Sequence, residues 1–285
     1  MYIDLKQLRL PIAVFIICAV VFSIFSFCIP STSYALEGNV RLPILMYHHL
    51  SEKENKLNKY TISPEEFEAD LKYIKESGYT TVTVSNLIAF CEQGKALPEK
   101  PIMITFDDGY ESVYKYAYPI LCKYEMTAVI NIIGKYTDLY STVSDHNVNY
   151  SHITWEELYE MQQYGIEIQN HTYDLHSNTS RYGIQKKSSE SDVAYEKMLY
   201  EDLNNVQTRC KENNITVPTT FAYPFGKISK EALPVIKKLG IKAVFCCWER
   251  INTLTGDSEE LYHLNRFNRP HNTSAEKLLK VAESQ

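Results

Sequence analysis

The chain is short of several features that would take it out of the ordinary globular class. It has no basic surplus: 29 lysines and arginines face 35 aspartates and glutamates, a formal net charge of -6. Without that surplus it lacks the electrostatic footprint for neutralising phosphates, which excludes nucleic acid as an expected partner. A cysteine framework is missing too. Of seven cysteines, Cys18 and Cys28 fall in the first 35 residues, leaving Cys91, Cys122, Cys210, Cys246 and Cys247. An odd number cannot all pair, and no CxxC spacing marks a zinc or redox site, so these read as unpaired core residues. Repeats are absent, and no linker demands a second folded domain.

Long apolar runs are scarce, with one exception. From Pro11 to Ile29 there is no charged residue, and Lys6 and Arg9 precede the run. A basic start followed by such a run is an export signal, and its length also permits an uncleaved membrane anchor. Ser33-Tyr34-Ala35 supplies small residues at positions -3 and -1 of a cleavage site after Ala35. The expected organisation is a signal peptide or anchor over 1–35 and one domain over 36–285. The body is expected outside the cell or at its surface, touching membrane only through the N-terminal segment. Nothing in the sequence sets the oligomeric state.

Past the signal, short apolar β-rich runs alternate with helical stretches. Strands are expected at 44–47, 80–84, 102–106, 128–133, 166–170, 219–223, 241–246 and 262–267. Ser63-Pro64-Glu65-Glu66 has a cap, a proline at the first helical position and two acids at the positive end of the dipole. Thr154-Trp155-Glu156-Glu157 is a second such start, and Ser229 begins a third helix that Gly240 closes. The stretches 138–151 and 177–192 are polar and aperiodic, as surface loops are. Nearly continuous apolar strands that alternate with helices predict a mostly parallel sheet, in an irregular (β/α) barrel of seven or eight strands.

In such a barrel, polar residues at the C-terminal strand ends converge on one mouth. Four segments qualify: Met46-Tyr47-His48-His49, Thr105-Phe106-Asp107-Asp108-Gly109-Tyr110, Asn170-His171-Thr172-Tyr173-Asp174-Leu175-His176 and Phe221-Ala222-Tyr223-Pro224-Phe225-Gly226. Two adjacent carboxylates after an apolar strand need a compensating charge, and a divalent metal supplies one. One carboxylate can bind while its neighbour acts as base. Two imidazoles and one carboxylate leave positions open on a zinc-like ion, the catalytic rather than the structural pattern. Asp107-Asp108-Gly109 alone would also suit a turn with a helix cap, but a turn does not account for the histidines.

These strand-end segments resemble the motifs of the polysaccharide deacetylases of carbohydrate esterase family four, the NodB-homology domain, from about Pro43 onward. The resemblance implies an N-acetylated glycan as substrate and acetate as product. It implies Asp107 as general base, Asp108, His171 and His176 as ligands of a divalent metal, most readily zinc, and the Phe225 backbone N–H as oxyanion donor. Tyr223, Phe225 and Trp248 are candidates for stacking on sugar rings, although each could simply be core.

Three departures from the family pattern matter. The second histidine is expected four residues after the first, where Leu175 stands; His176, one residue later, is similar in spacing to that of permuted members acting on poly-N-acetylglucosamine, and is preferred to Asp174. Ala222 occupies a position where the family often has an arginine that orients the base, so Arg266 and Arg269 are candidate substitutes. The late leucine-histidine motif that supplies the general acid has no match, because His263 precedes Leu264. The permuted members carry that histidine at the start of the domain, which makes His48 the expected acid and His49 the alternate. His146, His152 and His271 are assigned no role. Rival expectations are a metal-dependent hydrolase of another amide C–N bond, and a glycan-binding relative that has lost turnover.

Overall fold

Pro101–Phe106, which reads PIMITF, is buried at all six positions, as a parallel strand covered on both faces must be. It is an interior strand of the computed structural model, which describes residues 39–285; the expected signal or anchor over 1–35 lies outside the described residues. In chain order the strands are β1 Val40–Leu42, β2 Ile44–Tyr47, β3 His49–Leu50, β4 Thr61–Ile62, β5 Thr80–Thr81, β6 Pro101–Phe106, β7 Val129–Ile132, β8 Glu167–Asn170, β9 Thr220–Ala222, β10 Ala243–Phe245, β11 Asn252–Leu254 and β12 Phe267–Asn268. The helices are α1 Pro64–Glu76, α2 Val84–Gln93, α3 Tyr118–Tyr124, α4 Gly134–Tyr140, α5 Trp155–Tyr164, α6 Asp192–Glu212, α7 Ala232–Lys238 and α8 Ala275–Glu283.

Eight strands form one sheet in the order β10-β9-β8-β7-β6-β2-β12, with β5 pairing the start of β6. Every pairing in it is parallel. The residues ahead of β12 join its two edges. Leu264 bridges Phe245 of β10, with Leu264 N–H donating to Val244 and Cys246 N–H to Leu264 at 3.0 and 2.8 Å. Three residues later Phe267 pairs with Leu45 of β2. The sheet thereby curls into the irregular (β/α) barrel that the alternation predicts.

The two well-marked helix starts form as their sequences require. Ser63 and Thr154 each accept from the backbone N–H three residues on, while Glu66 and Glu157 reach back to the cap N–H, which satisfies donors a helix start would otherwise orphan.

Several boundaries differ from expectation. The run at 80–84 yields only Thr80–Thr81 as strand, because Thr83 already caps α2. Tyr262 and His263 close a 3-10 turn that Asp257 caps through Glu259 N–H, so the last strand is confined to Phe267–Asn268. The loop expected from 138 begins inside α4, and the helix expected from Ser229 starts at Ala232. Sequence pattern does not single out α6; its buried stripe of Tyr195, Leu199, Leu203, Val206 and Cys210 is diluted by polar residues on the other faces.

One buried ion pair locks the end of the chain to α1. Arg269 Nε donates to Asp70 Oδ2 at 2.7 Å, and Asp70 also accepts from the Tyr47 hydroxyl at 3.1 Å and from Ala275 N–H at 2.8 Å. Removing one partner of a buried pair strands the other charge, at a cost of about 3–5 kcal/mol, whereas losing a helix cap costs about 1 kcal/mol. Urea denaturation is therefore expected to rank Asp70→Ala well below Ser63→Ala in stability. Equal losses would mean that Asp70 does not anchor the C-terminal segment.

Candidate active site

The polar strand ends meet around a cavity of about 650 Å³, whose walls include His48, Asp107, Asp108, His171, His176 and Tyr223. Three turns aim these groups, each with a side-chain-bearing residue in the left-handed region: Asp108 (φ 72°) after β6, Thr172 (φ 78°) after β8 and Phe225 (φ 58°) after β9. Such conformations cost on the order of 1–3 kcal/mol each and persist only where surrounding structure enforces them. Gly226, also at positive φ, packs where a Cβ would sit 2.7 Å from that of Cys247. The turn needs glycine there on both counts.

Asp108, His171 and His176 present donor atoms that all lie within 4.8 Å of one another. His171 and His176 point Nε2 at Asp108 Oδ1 from 3.6 and 3.4 Å. On its far side His171 places Nδ1 2.9 Å from the Ala222 carbonyl. A carbonyl only accepts, so Nδ1 carries the proton and Nε2 turns its lone pair inward, the second-sphere arrangement of a metal-binding histidine. Asp108 Oδ1 is buried and has no hydrogen-bond partner. Burial and the neighbouring Asp107 push the Asp108 carboxyl up to about 6, and burial lowers His171 to about 3 and His176 in the same direction. An orphaned carboxylate oxygen facing lone pairs of neutral imidazoles is suited to a cation, and a His2Asp set fits a divalent ion such as zinc. Asp174 turns away instead, meeting Lys135 at 2.8 Å on the surface. A second donor group, Glu111, His146 and Glu157, is already engaged: Glu157 caps α5 and His146 meets Glu111.

Asp107 is held differently. Arg266 grips it with both ends of its guanidinium, NH1 to Oδ1 at 2.7 Å and NH2 to Oδ2 at 2.8 Å, and Asn131 Nδ2 adds a bond to Oδ1 at 2.7 Å. Burial opposes ionisation, but Arg266 and the nearby His171 outweigh it and hold Asp107 well below the usual carboxylate range. Arg266 is 0% exposed, with Nε donating to the Cys246 carbonyl at 3.2 Å. It stands where Ala222 cannot serve. Arg269 does not reach Asp107, because its guanidinium is committed to Asp70 and Glu66. Asn131 was not among the expected residues, although an amide inside the apolar run Ala128–Ile133 marks a buried polar group in need of a partner.

His48 lines the cavity close enough to Asp107 and Asp108 to feel both charges, although burial lowers its pKa. His49 is tied back through Nε2 to the Val148 carbonyl at 2.9 Å. Tyr223 is buried on the cavity wall, and Phe225, 40% exposed, packs on His176 with ring centroids 4.4 Å apart. Trp248 is 53% exposed and does not line the cavity; leaving β10, the chain turns it outward to solvent, while Cys247 takes the wall position. Among the described residues no disulfide forms, and Cys91, Cys122, Cys210, Cys246 and Cys247 are all free.

The Asp107–Arg266 pair has a pH signature. A depressed folded pKa contributes stability that is present above the unfolded value of about 4 and lost as pH falls through the folded value. Arg266→Met reverses the sign, since an unpaired buried carboxyl has a raised pKa and destabilises as pH rises. The stability gap between wild type and Arg266→Met is expected to widen from about pH 4 upward, to about 3–5 kcal/mol near neutrality, and to shrink in acid. Denaturation curves at a series of pH values measure it. Parallel pH dependences would show that Asp107 is not held by this charge.

Comparison with known proteins bears on the family and the fold. The polysaccharide deacetylase family model matches residues 94–244. The chain is 34% identical over 218 residues to the poly-beta-1,6-N-acetyl-D-glucosamine N-deacetylase of Staphylococcus aureus, a stretch covering 76% of this chain and 70% of that one. It is 35% identical over 204 residues to YxkH of Bacillus subtilis, covering 72% of this chain and 63% of the length of YxkH. Among solved structures, the deacetylase PplD of Streptococcus pyogenes in complex with acetate superposes with a TM-score of 0.70 over 86% of this chain and 99% of that one, at 24% identity. IcaB from Ammonifex degensii gives 0.67 over 85% and 96%, also at 24% identity. At that identity the two structures speak for a shared fold. The family match and the staphylococcal relative go further, and the chain belongs to the polysaccharide deacetylase family.

Proposed function

We propose that this protein hydrolyses N-acetyl groups of an N-acetylglucosamine-containing polysaccharide at the cell surface, releasing acetate. The observation that carries this reading is the pairing of two unlike carboxylates. Asp107 is kept ionised by Arg266, while beside it Asp108 turns an unpartnered oxygen toward two neutral imidazoles. The staphylococcal relative's activity on poly-beta-1,6-N-acetyl-D-glucosamine supports the substrate class. The apolar run near the N-terminus supports export.

Asp108, His171 and His176 would hold a divalent ion, zinc being the best match to the donor set. Such an ion polarises a carbonyl and acidifies water, which is what a carboxylate as weakly basic as Asp107 requires. Asp107, fixed on two sides by Arg266 and Asn131, takes the proton of the attacking water. The Phe225 backbone N–H, presented by its strained turn, donates to the oxygen of the tetrahedral intermediate. His48 gives its proton to the departing nitrogen. Burial makes His48 a stronger acid than a free imidazole, and the two aspartates offset part of that shift.

Asp107→Asn retains shape but cannot accept a proton. It is expected to keep its bound metal and lose acetate release by a factor of about 10² to 10⁴. Metal analysis beside an acetate assay on N-acetylated glycans checks this; loss of the metal would make Asp107 a ligand, and full activity would remove it from the reaction.

His48→Ala is expected to lower kcat by a similar factor with little change in KM or metal content, and to blunt the alkaline limb of the pH–rate profile. His49→Ala, whose ring is tied to Val148, is expected to do much less. Near-normal turnover in His48→Ala would sink the assignment of the acid.

A further inference from the structure

Two aromatic clusters wall the cavity, and an ammonium group lies against a ring of each. On one wall the His48 ring lies 4.9 Å from that of Tyr60, and Lys59 Nζ stands 4.6 Å above Tyr60. On the other, His176 meets Phe225 at 4.4 Å, Phe225 meets Tyr182 at 5.0 Å, and Lys227 Nζ lies 5.7 Å from the Tyr182 ring. Lys56 also lines the cavity. Among the described residues none of these three lysines is in an ion pair, unlike Lys75, Lys123, Lys135, Lys186, Lys237 and Lys242. Among the described residues no carboxylate lines the cavity apart from Asp107 and Asp108, and Asp107 is already matched by Arg266. Lys56 and Lys59 on the cavity wall, with Lys227 outside the lining against the Tyr182 ring, thus make a cationic rim in a chain whose net charge is -6.

We propose that this rim reads the charge of the substrate: the sugars flanking the unit being hydrolysed must be neutral or anionic, and a flanking unit that already bears a free amine is rejected. This rests on the deacetylase reaction proposed above, because that reaction converts each neutral acetamide into an amine that becomes a cation on protonation. A protonated glucosamine laid along either wall approaches Lys59 or Lys227 with no acidic side chain to offset the repulsion. Discrimination then comes from an unfavourable contact with the wrong ligand rather than from an added favourable contact with the right one. The consequence is a pattern: each hydrolysis makes the adjoining units poorer substrates, so free amines are spaced along the polymer instead of clustered.

The test uses two defined oligomers of N-acetylglucosamine, one fully acetylated and one with a glucosamine beside the target unit, at a pH where the amine is protonated. The fully acetylated oligomer is expected to show a kcat/KM about three- to tenfold higher at low ionic strength. That ratio is expected to fall toward one at about 1 M salt, where the screening length is about 3 Å. It should fall likewise in Lys59→Gln and Lys227→Gln, and recover in Lys59→Arg. A ratio near one in the wild type at low salt, or a ratio unchanged in the glutamine variants, overturns the proposal. If neither oligomer is hydrolysed, the reaction itself is misassigned. The rim is then judged by calorimetric binding of the same two oligomers, where equal affinities at low salt refute it.

Discussion

The bidentate pair between Arg266 and Asp107 is the constraint on which the rest of the site depends. Burying two charges is expensive unless their geometry is good and their remaining hydrogen-bonding capacity is used. Both conditions hold. Asp107 accepts two bonds from Arg266 and one from Asn131, while the remaining Arg266 nitrogen donates to the Cys246 carbonyl. Arg266 also belongs to the segment that closes the barrel, between Leu264 on β10 and Phe267 on β2. Closure and the charge of the proposed base are therefore one arrangement. The hydrogen bonds of Leu264 set the height of Arg266, and the pair in turn ties the closing segment to the end of β6.

Around this pair the backbone is bent into conformations it would not adopt alone, and neighbouring groups hold it there. Thr172 keeps its left-handed geometry while Asn170 Oδ1 accepts its N–H at 2.8 Å. Asp202 of α6 accepts from the next two amides, Tyr173 and Asp174, also at 2.8 Å. The long α6 thus secures the loop between His171 and His176. Gly226 packs the turn that carries Phe225 against Cys247. Strained conformations of this kind cluster at functional sites, where the surrounding structure holds them.

The two aspartates show how position alone divides labour between identical side chains. Asp107 continues the line of β6 and faces the guanidinium; Asp108, one residue on and at φ 72°, faces the imidazoles. One is held as an anion and the other is left with an unsatisfied oxygen. A divalent ion is the natural complement of the second, and a proton acceptor is the natural use of the first.

What the sequence determined by itself was local or periodic. The apolar runs at β2, β6, β7 and β10, buried throughout, declared a parallel sheet, and the boxes at Ser63 and Thr154 declared their helices, because those signals lie within a few residues of one another. The strand-end motifs likewise carried Asp107, Asp108, His171, His176 and His48 to one cavity. Tertiary structure alone decided the long-range partnerships. Arg266 and Arg269 are three residues apart with equal claims on Asp107, yet only the register of the closing segment sends one to Asp107 and the other to Asp70. Trp248 turns outward and Cys247 inward for the same kind of reason. Asn131 and Asp202 gain meaning only through partners 24 and 28 or 29 residues away. Composition and spacing record which groups a chain owns, but a bond between distant residues exists only once the sheet has closed and brought them within reach.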